Sequence, residues 1–506
     1  MRIAVALKPD VPSFGYAAYL SINATSIWGG IFPYLSDAAR TPELTLVFYT
    51  VQLAAFLAAF CAMMGAVWAR PQLARGAHVL ACGLAMGVGS LMLVGAMYLE
   101  AAALPLIVGA AALVGVGSAG FMVGWQRVFA SCDAARGNLA LIKGTGYSAV
   151  IYFCICLIPA ALTAYLVPLC MVPLAGLCLF IAAQGSDTAQ PMFDDVPRDH
   201  AVVYRNALRE SFLPALSVAA LGFCSGAVRL IAVTHQELLS TINIVSMFAL
   251  LIVASAFYAV WARHTIHVDL MSVYRVLFPV AATFLVVLPF AGAAFAPFGS
   301  AAAYACFMLA CVLMMMHCGQ ISRDSGINPV IIFAFYGAVT YGGQLCGYLV
   351  GYASGSAMAL GVEQLSFVGL VALYALLVVA LVGRRVDQLH TNRLEFLTLS
   401  RAGAQPPAAP AEVTAEIAAH KATGAAPAEP PIIDRLSKRC LQLSELYGLS
   451  SRETEVMELI ARGFTGPAIA EQLFISENTM RTHNKRIYAK LGIHKKQELL
   501  ELLDRL

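Results

Sequence analysis

A run of basic side chains near the end of the chain points to phosphate binding. Between Thr479 and Lys496 the sequence has no acidic residue. The basic residues in this stretch are Arg481, Lys485, Arg486, Lys490, Lys495 and Lys496. Because a nucleic-acid backbone presents a row of phosphates, a one-sided cluster of Lys and Arg is the footprint expected of a nucleic-acid-binding surface.

The surrounding sequence, 449–506, predicts three short helices followed by a fourth. Ser450 and Glu453 form a capping-box pattern, which begins the first helix, and Gly463 follows its end. Pro467 begins the second helix at a position where its missing N–H costs nothing. Gly492 follows the third, basic helix. Two short helices before a longer basic one are the layout of a helix-turn-helix, whose recognition helix enters a major groove.

Four strings at linked positions resemble the LuxR-type (NarL/FixJ-like) helix-turn-helix of bacterial regulators: SSRETEV, IAEQL, ISENTMRTH and IYAKLGI. The resemblance implies binding to double-stranded promoter DNA and assigns roles to individual residues. Those expected at base edges are Arg481, Thr482 and Lys485. Those expected at phosphates are Thr479, His483, Arg486 and Lys490. Glu453 is expected to be structural, and a dimer contact is expected from the last helix through Leu499, Leu502, Leu503 and Leu506.

Three positions depart from the family pattern. Ala468 stands where the family usually has Glu, and Met480 replaces a common Val. Asn484 occupies an inward position that is usually aliphatic, so its amide must find a hydrogen bond or point toward DNA. A helical bundle that binds protein instead of DNA is the alternative to this interpretation.

The rest of the chain has the composition of a membrane protein. Of 506 residues, 60% are hydrophobic and 12% charged, and the mean hydropathy is +0.76. A soluble protein carries about 25% charged residues. Residues 1–13 show no pattern of a cleaved signal peptide. The thirteen cysteines have no CxxC pair or metal-ligand spacing, so neither a disulfide framework nor a metal site is predicted.

Apolar stretches long enough to cross a bilayer recur about twelve times along the chain. They are predicted at 14–35, 44–69, 77–99, 103–127, 146–166, 168–183, 211–232, 241–262, 276–296, 299–319, 328–352 and 362–383. If the N-terminus is cytoplasmic, most Lys and Arg of the connecting segments lie on the inner side, as the positive-inside rule requires. Both the N-terminus and the DNA-binding domain are then expected in the cytoplasm, with the chain in the cell membrane.

The predicted spans divide into two sets of six. The longest internal polar segment, 184–210, follows the sixth span, and AVWAR occurs at 66–70 and again at 259–263, closing the second helix of each set. Parallel repeats of this kind resemble the major facilitator fold. The predicted fold class is therefore all-α: a polytopic, major-facilitator-like bundle followed by a small four-helix LuxR-type domain.

Polar residues within the predicted spans are candidates for a ligand pocket: Asn23, Gln126, Arg229, Tyr341 and Gln344. Each of these residues, taken alone, could also have a purely structural role. Arg229 near a helix end is more simply explained by snorkelling of its guanidinium to the interface. An intramembrane Asn or Gln more often bonds a neighbouring helix.

Domain boundaries follow from these patterns. Residues 1–383 are predicted to be the membrane domain, 384–400 a cytoplasmic extension of its last helix, and 401–431 an Ala/Pro-rich linker. Residues 432–447 are predicted to form an amphipathic lead-in helix, and 448–506 the DNA-binding domain.

These features favour a one-component transcription regulator that responds to an unknown small-molecule signal, with RNA polymerase as a further candidate partner. A solute transporter with a regulatory DNA-binding tail is the alternative, although intramembrane carboxylates are scarce. A third possibility is that proteolysis within 401–431 releases the DNA-binding domain. No nucleophile–base pair or phosphate loop occurs, so we expect neither an enzyme nor a cofactor.

Overall fold

The computed structural model describes most of the chain. The described residues are 8–27, 41–75, 78–186, 190–198, 201–234, 236–263, 266–291, 295–358, 364–389, 396–399, 435–473 and 477–504. They form two compact units. The larger unit holds nearly all described residues up to 386 together with 396–399, and the smaller holds the C-terminal helices. The predicted linker, 401–431, lies outside the described residues.

The larger unit is a bundle of long helices. In chain order they are α1 Val11–Ile22, α2 Pro42–Ala69, α3 Val79–Ala96, α4 Ala103–Ser131, α5 Ala134–Cys156, α6 Ala160–Leu166, α7 Val172–Gln184, α8 Pro191–Asp194, α9 Ala201–Thr234, α10 Gln236–Trp261, α11 Leu270–Ala291, α12 Ala296–Ser325, α13 Pro329–Met358 and α14 Gln364–Leu389. A π-helical turn, Asn23–Ile27, continues α1, and short 3₁₀ turns at Pro71–Arg75 and Glu100–Ala102 join neighbouring helices.

Eleven helical stretches in the described part of the chain are long and apolar enough to cross a membrane. The first of the twelve predicted spans, 14–35, is described only as far as Ile27. Many large apolar side chains on these helices remain exposed, among them Leu80, Leu162 and Phe290. Such apolar surface is expensive in water but suits contact with lipid. The chain is therefore a multi-pass membrane protein.

The predicted boundary between the fifth and sixth spans is wrong. The break falls at 157–159, and the next helical stretch runs without interruption through Val167 and Pro168 to Gln184. Proline disfavours the α conformation in the residue before it, so Pro159 ends α5 effectively. Pro168 instead lies in a π-helical turn, Val167–Met171, whose wider backbone spacing accommodates a residue without an N–H.

Two pairs of helices make the most extensive contacts between the two predicted halves. Helix α2 packs against α13, and α5 packs against α10. Within each half, α3 packs on α4 and α9 on α13. The bundle is thus closed both by neighbouring helices and by helices far apart in sequence.

Glycine allows the closest of these helix contacts. A Cβ built on Gly343 in α13 would lie 2.6 Å from the carbonyl oxygen of Ala219 in α9. In α4, a Cβ on Gly115 would lie 2.6 Å from the carbonyl oxygen of Gln52 in α2. Small residues let helix backbones approach within a membrane, where dispersion replaces the hydrophobic effect as the driving force.

A two-stranded antiparallel sheet interrupts the otherwise helical unit. Strand β1, Ile266–Asp269, pairs with β2, Phe396–Leu399, in the register Ile266 opposite Leu399. The predicted helical extension over 384–400 is therefore wrong in its second part: α14 ends at Leu389 and the chain becomes extended at Phe396. Phe, Leu and Thr have good strand propensity, and pairing with β1 satisfies the backbone that an isolated helix end would leave unpaired.

Candidate DNA-binding domain and membrane cavity

The smaller unit contains five helices: α15 Arg435–Tyr447, α16 Ser451–Ala461, α17 Gly466–Gln472, α18 Glu477–Leu491 and α19 Lys496–Asp504. They share one apolar core, whose fully buried members include Cys440, Leu443, Val456, Met457, Ile460, Ile469, Ile487 and Leu499. Helix α18, the predicted recognition helix, packs on α16 and α17. The four helices predicted for 449–506 are therefore present.

The predicted lead-in helix is an integral part of this core. Helix α15 occupies Arg435–Tyr447 and packs on α16 and α19. Its Cys440 and Leu443 are fully buried, and Leu436 and Tyr447 pack at the edge. The sequence predicted this apolar stripe but did not identify its partner, which is the DNA-binding domain itself.

The capping box at the start of α16 has the predicted geometry. The Ser450 hydroxyl accepts a hydrogen bond from the Glu453 backbone N–H at 3.3 Å, and the Glu453 carboxylate accepts one from the Ser450 N–H at 2.8 Å. These bonds satisfy backbone donors that the first helical turn leaves without partners.

The same carboxylate also connects α16 to α18. Lys490 donates from Nζ to Glu453 Oε2 at 2.8 Å and to the Gly448 carbonyl oxygen at 2.9 Å. The Glu453 side chain is only 6% exposed. The hydrogen bond from Lys490, followed by that from the Ser450 N–H, lowers the pKa of Glu453 to about 2. The predicted structural role of Glu453 thus has a specific partner. Lys490, predicted to meet phosphate, pairs with this carboxylate while its side chain remains 39% exposed.

The outward face of α18 carries most of the predicted DNA contacts. The exposed residues are Thr479, Arg481, Thr482, Lys485 and Arg486, while His483 is half-buried. The opposite face places Met480, Ile487 and Leu491 in the core. A helix with this division can lay its polar face in a groove while the domain holds its apolar face.

Asn484 lies at the boundary between these two faces. It is half-buried, and its Oδ1 has no hydrogen-bond partner among the described residues. Burial raises the pKa of Tyr488, one helical turn later, and a hydrogen bond with the Asn484 side chain partly opposes that rise. The Asn484 amide group therefore has one partner, the Tyr488 hydroxyl, and its Oδ1 remains available for a further hydrogen bond.

The predicted dimer stripe on the last helix faces inward for the most part. Leu499 and Leu503 are 0% and 1% exposed and belong to the domain's own core. Leu502 packs at the edge of that core, and Leu506 lies outside the described residues. The side chains of Leu499 and Leu503 therefore have no surface to offer a second copy. The apolar stripe arises because a short helix must bury one face to remain folded.

Two of the five predicted pocket residues line one cavity of the membrane unit. The cavity has a volume of about 40 Å³, room for about three water molecules. Asn23 and Tyr341 lie on its wall. Asn23 accepts a hydrogen bond from the Ser118 hydroxyl at 2.9 Å. The complete lining is Tyr16, Tyr19, Leu20, Asn23, Met122, Ser148, Met247, Leu250, Tyr304, Met308, Cys311, Met315 and Tyr341.

The other three predicted pocket residues are buried but do not line this cavity. Gln126 donates from its amide to the sulfur of Met315, which lines the cavity. Gln344 is 4% exposed on α13. Arg229, 5% exposed, donates to Asn243 Oδ1 at 2.6 Å. The expected snorkelling of Arg229 is therefore wrong, because the guanidinium has a polar partner within the bundle.

Comparison with known proteins identifies the C-terminal segment. Residues 448–503 match the family described as bacterial regulatory proteins, luxR family. The oxygen regulatory protein NreC of Staphylococcus aureus strain JH9 is 47% identical over 53 residues, and that of strain USA300 is equally similar. The match covers 10% of this chain and 24% of the NreC chain, so the shared segment is confined to the C-terminal unit.

The membrane unit has more distant structural relatives. The structure of FucP, a major facilitator superfamily transporter in the outward conformation, covers 74% of this chain and 97% of its own, with 11% identity and a TM-score of 0.47. A second structure, of a single-residue variant of the E. coli fucose:proton symporter FucP, covers 75% and 98%, with 13% identity and a TM-score of 0.43.

Proposed function

We propose that this chain, a multi-pass membrane protein whose residues 448–503 form a LuxR-type DNA-binding domain, is a transcription regulator that works from the membrane. One observation carries the proposal: a single chain contains both eleven candidate membrane spans and a helix-turn-helix with an exposed basic face. The chain lies in the cell membrane with both termini in the cytoplasm, where promoter DNA is found. Two copies pair on DNA, and RNA polymerase is the partner through which they act.

Recognition of DNA depends on α18. Arg481, Thr482 and Lys485 read base edges in the major groove, where Arg and Lys pair best with guanine. Thr479, His483 and Arg486 contact phosphates, which set affinity and position but carry no sequence information. Lys490 contributes to this surface less than its charge suggests, because its ammonium group already pairs with Glu453.

Control comes from the membrane unit. A signal changes DNA binding only if it binds two conformations of that unit with different affinity. The cavity lined by residues such as Asn23 and Tyr341 lies between helices of both halves, and its volume of about 40 Å³ suits a signal no larger than an ion or a few atoms.

Chromatin immunoprecipitation of the full-length protein tests the proposal. We expect focal promoter peaks that disappear when Arg481→Ala and Lys485→Ala are combined. A matched control combines Arg452→Gln and Arg462→Gln, which remove two positive charges from ion pairs with Glu455 and Glu458. Circular dichroism checks that this variant folds, because Arg452 also donates to the Leu473 carbonyl oxygen. The control should keep the peaks.

Two outcomes would refute direct regulation by the tethered form. One is peaks that persist in the Arg481/Lys485 variant. The other is the absence of peaks from full-length protein that inserts normally into the membrane; transport assays would then test the alternative of a transporter with a regulatory tail. Blots with and without signal distinguish release of the domain by proteolysis.

Binding in vitro separates the two kinds of contact. Removal of one phosphate contact should reduce the slope of log K against log salt by about 0.9. We therefore expect Arg486→Ala to flatten the salt dependence on all sequences, and Lys485→Ala to relax specificity at one base pair by about 1–3 kcal/mol. Equal effects of both variants on specific and random DNA would contradict these assignments.

A further inference from the structure

Sulfur atoms are concentrated around the cavity of the membrane unit. Five of its thirteen described lining residues carry sulfur: Met122, Met247, Met308, Cys311 and Met315. The whole chain has 18 Met and 13 Cys among 506 residues, a frequency that would place fewer than one such residue among thirteen. The concentration is therefore a property of this cavity and not of the chain as a whole.

Three helices bring these side chains together. Met308, Cys311 and Met315 lie on α12 with the spacing i, i+3, i+7, which places them along one helix face. Met122 comes from α4 and Met247 from α10. All five residues are between 4% and 8% exposed. The arrangement is a buried set of one thiol and four thioethers from both halves of the bundle.

Hydrogen bonds orient one of these sulfurs. Gln126 donates from Nε2 to Met315 Sδ, and Tyr16 donates from its hydroxyl to the same sulfur at 3.9 Å. A thioether is a weak acceptor, so two donors directed at one sulfur hold a side chain that would otherwise be flexible. Because a thioether sulfur has two lone pairs, Met315 can bind a metal ion only by giving up one of these two hydrogen bonds.

Charge indicates what kind of ion the cavity suits. None of the described lining residues is Asp, Glu, His, Lys or Arg, and no three His, Cys, Asp or Glu side chains in the described part of the chain come together as a metal site. Thiolate and thioether ligands select soft ions such as Cu(I). A monovalent ion with the Cys311 thiolate leaves no net charge at the site, whereas a divalent ion would leave an uncompensated positive charge there.

We infer that this cavity binds Cu(I). The Cys311 thiol loses its proton to the aqueous phase as its sulfur bonds to the metal, and the thioethers of Met308 and Met315 complete the coordination from the same helix. No electron is transferred in this step. Met122 and Met247 approach from the facing helices, so occupancy of the site ties the two halves of the bundle together.

The test is an anaerobic titration of full-length protein in detergent with Cu(I) supplied as its bicinchoninate complex. We expect one tightly bound Cu(I) per chain with a sulfur-only first shell in copper X-ray absorption. Combining Met308→Leu with Met315→Leu, or introducing Cys311→Ser, should weaken binding by more than about tenfold. Leucine nearly conserves the volume of methionine, so the variants should fold, which gel filtration checks.

Buried sulfurs on the same helix provide the matched controls. Met314, Met316 and Cys318 are at most 1% exposed and do not line the cavity. Combined Met314→Leu and Met316→Leu, or Cys318→Ser, should leave the affinity unchanged. Binding that is absent in the unaltered protein, or that falls equally in both sets of variants, would overturn the site. Copper that persists in the cavity variants would be bound by exposed thiols such as Cys154, with the same consequence. Because no DNA is involved, failure here leaves the proposed regulation untouched.

Discussion

The ion pair between Glu453 and Lys490 makes the clearest energetic prediction. Glu453→Gln keeps an oxygen that can accept from the Ser450 N–H, because Gln serves as well as Glu in a capping box. The substitution therefore removes mainly the charge that faces Lys490. A pKa lowered from 4.5 to about 2 corresponds to at most about 3 kcal/mol. The Lys490 side chain is 39% exposed, and solvent screens the pair, so we expect a loss of about 1–2 kcal/mol at pH 7.

The pH dependence gives this prediction a second, independent test. The folded-state pKa of Glu453 lies below its unfolded value, so the stabilisation is complete above about pH 4.5 and is lost as the pH falls toward about 2. The difference between wild type and Glu453→Gln should therefore shrink over that interval. Urea unfolding of a fragment spanning 432–506, followed by circular dichroism at several pH values, measures it. The fragment contains its own closed apolar core.

Glu455 provides the matched control. Its ion pair with Arg452 is exposed on both sides, with side chains 49% and 40% accessible. Pairs of this kind are worth about 0.2–0.5 kcal/mol. If Glu453→Gln costs no more than Glu455→Gln, or if its cost is unchanged at pH 2, the pair does not hold α16 and α18 together.

Three further predictions concern packing. Asp10→Asn leaves the Lys143 ammonium group, whose side chain is 4% exposed, without its carboxylate partner. It should therefore lower the melting temperature of detergent-solubilised protein more than Lys143→Met, which removes the buried charge itself. Equal losses would contradict this. Gly343→Ala should cost about 1–3 kcal/mol, since the new methyl group meets backbone, whereas Gly65→Ala, with open space, should be neutral in the same melting assay. Leu499→Ala should cost about 2–5 kcal/mol in fragment unfolding, as expected of a core residue; a loss of dimerisation alone would restore its predicted interface role.

The helix-turn-helix could be predicted because its signals are local. A capping box, helix-ending glycines and an apolar stripe each act within one or two turns, and the basic run of α18 needs no partner to be recognised. The face that α19 presents could not be predicted, because an apolar stripe looks the same whether it meets its own domain or a second copy. Leu499 packs in the core of its own domain.

The membrane unit shows the same limit at a larger scale. Hydropathy finds the spans because each must cover the bilayer by itself. It does not show that Arg229 meets Asn243, or that the helix break falls at Pro159 and not at Pro168. Nor does it show that sulfurs from α4, α10 and α12 converge, because their proximity depends on helices far apart in sequence. The spacing Met308, Cys311, Met315 on one helix was the available signal.

The small sheet attaches the end of the larger unit to the segment between α10 and α11. Because β2 is hydrogen-bonded to β1, the described part of the larger unit extends to Leu399 and not only to the end of α14. Helices α10 and α11 flank β1 in the sequence. A rigid-body rotation of these two helices would move Leu399 with β1. The sheet has only four residue pairs, so few hydrogen bonds would have to break for the two strands to separate. In the proposed regulator, separation of these two strands would lengthen the segment that connects α14 to the C-terminal domain.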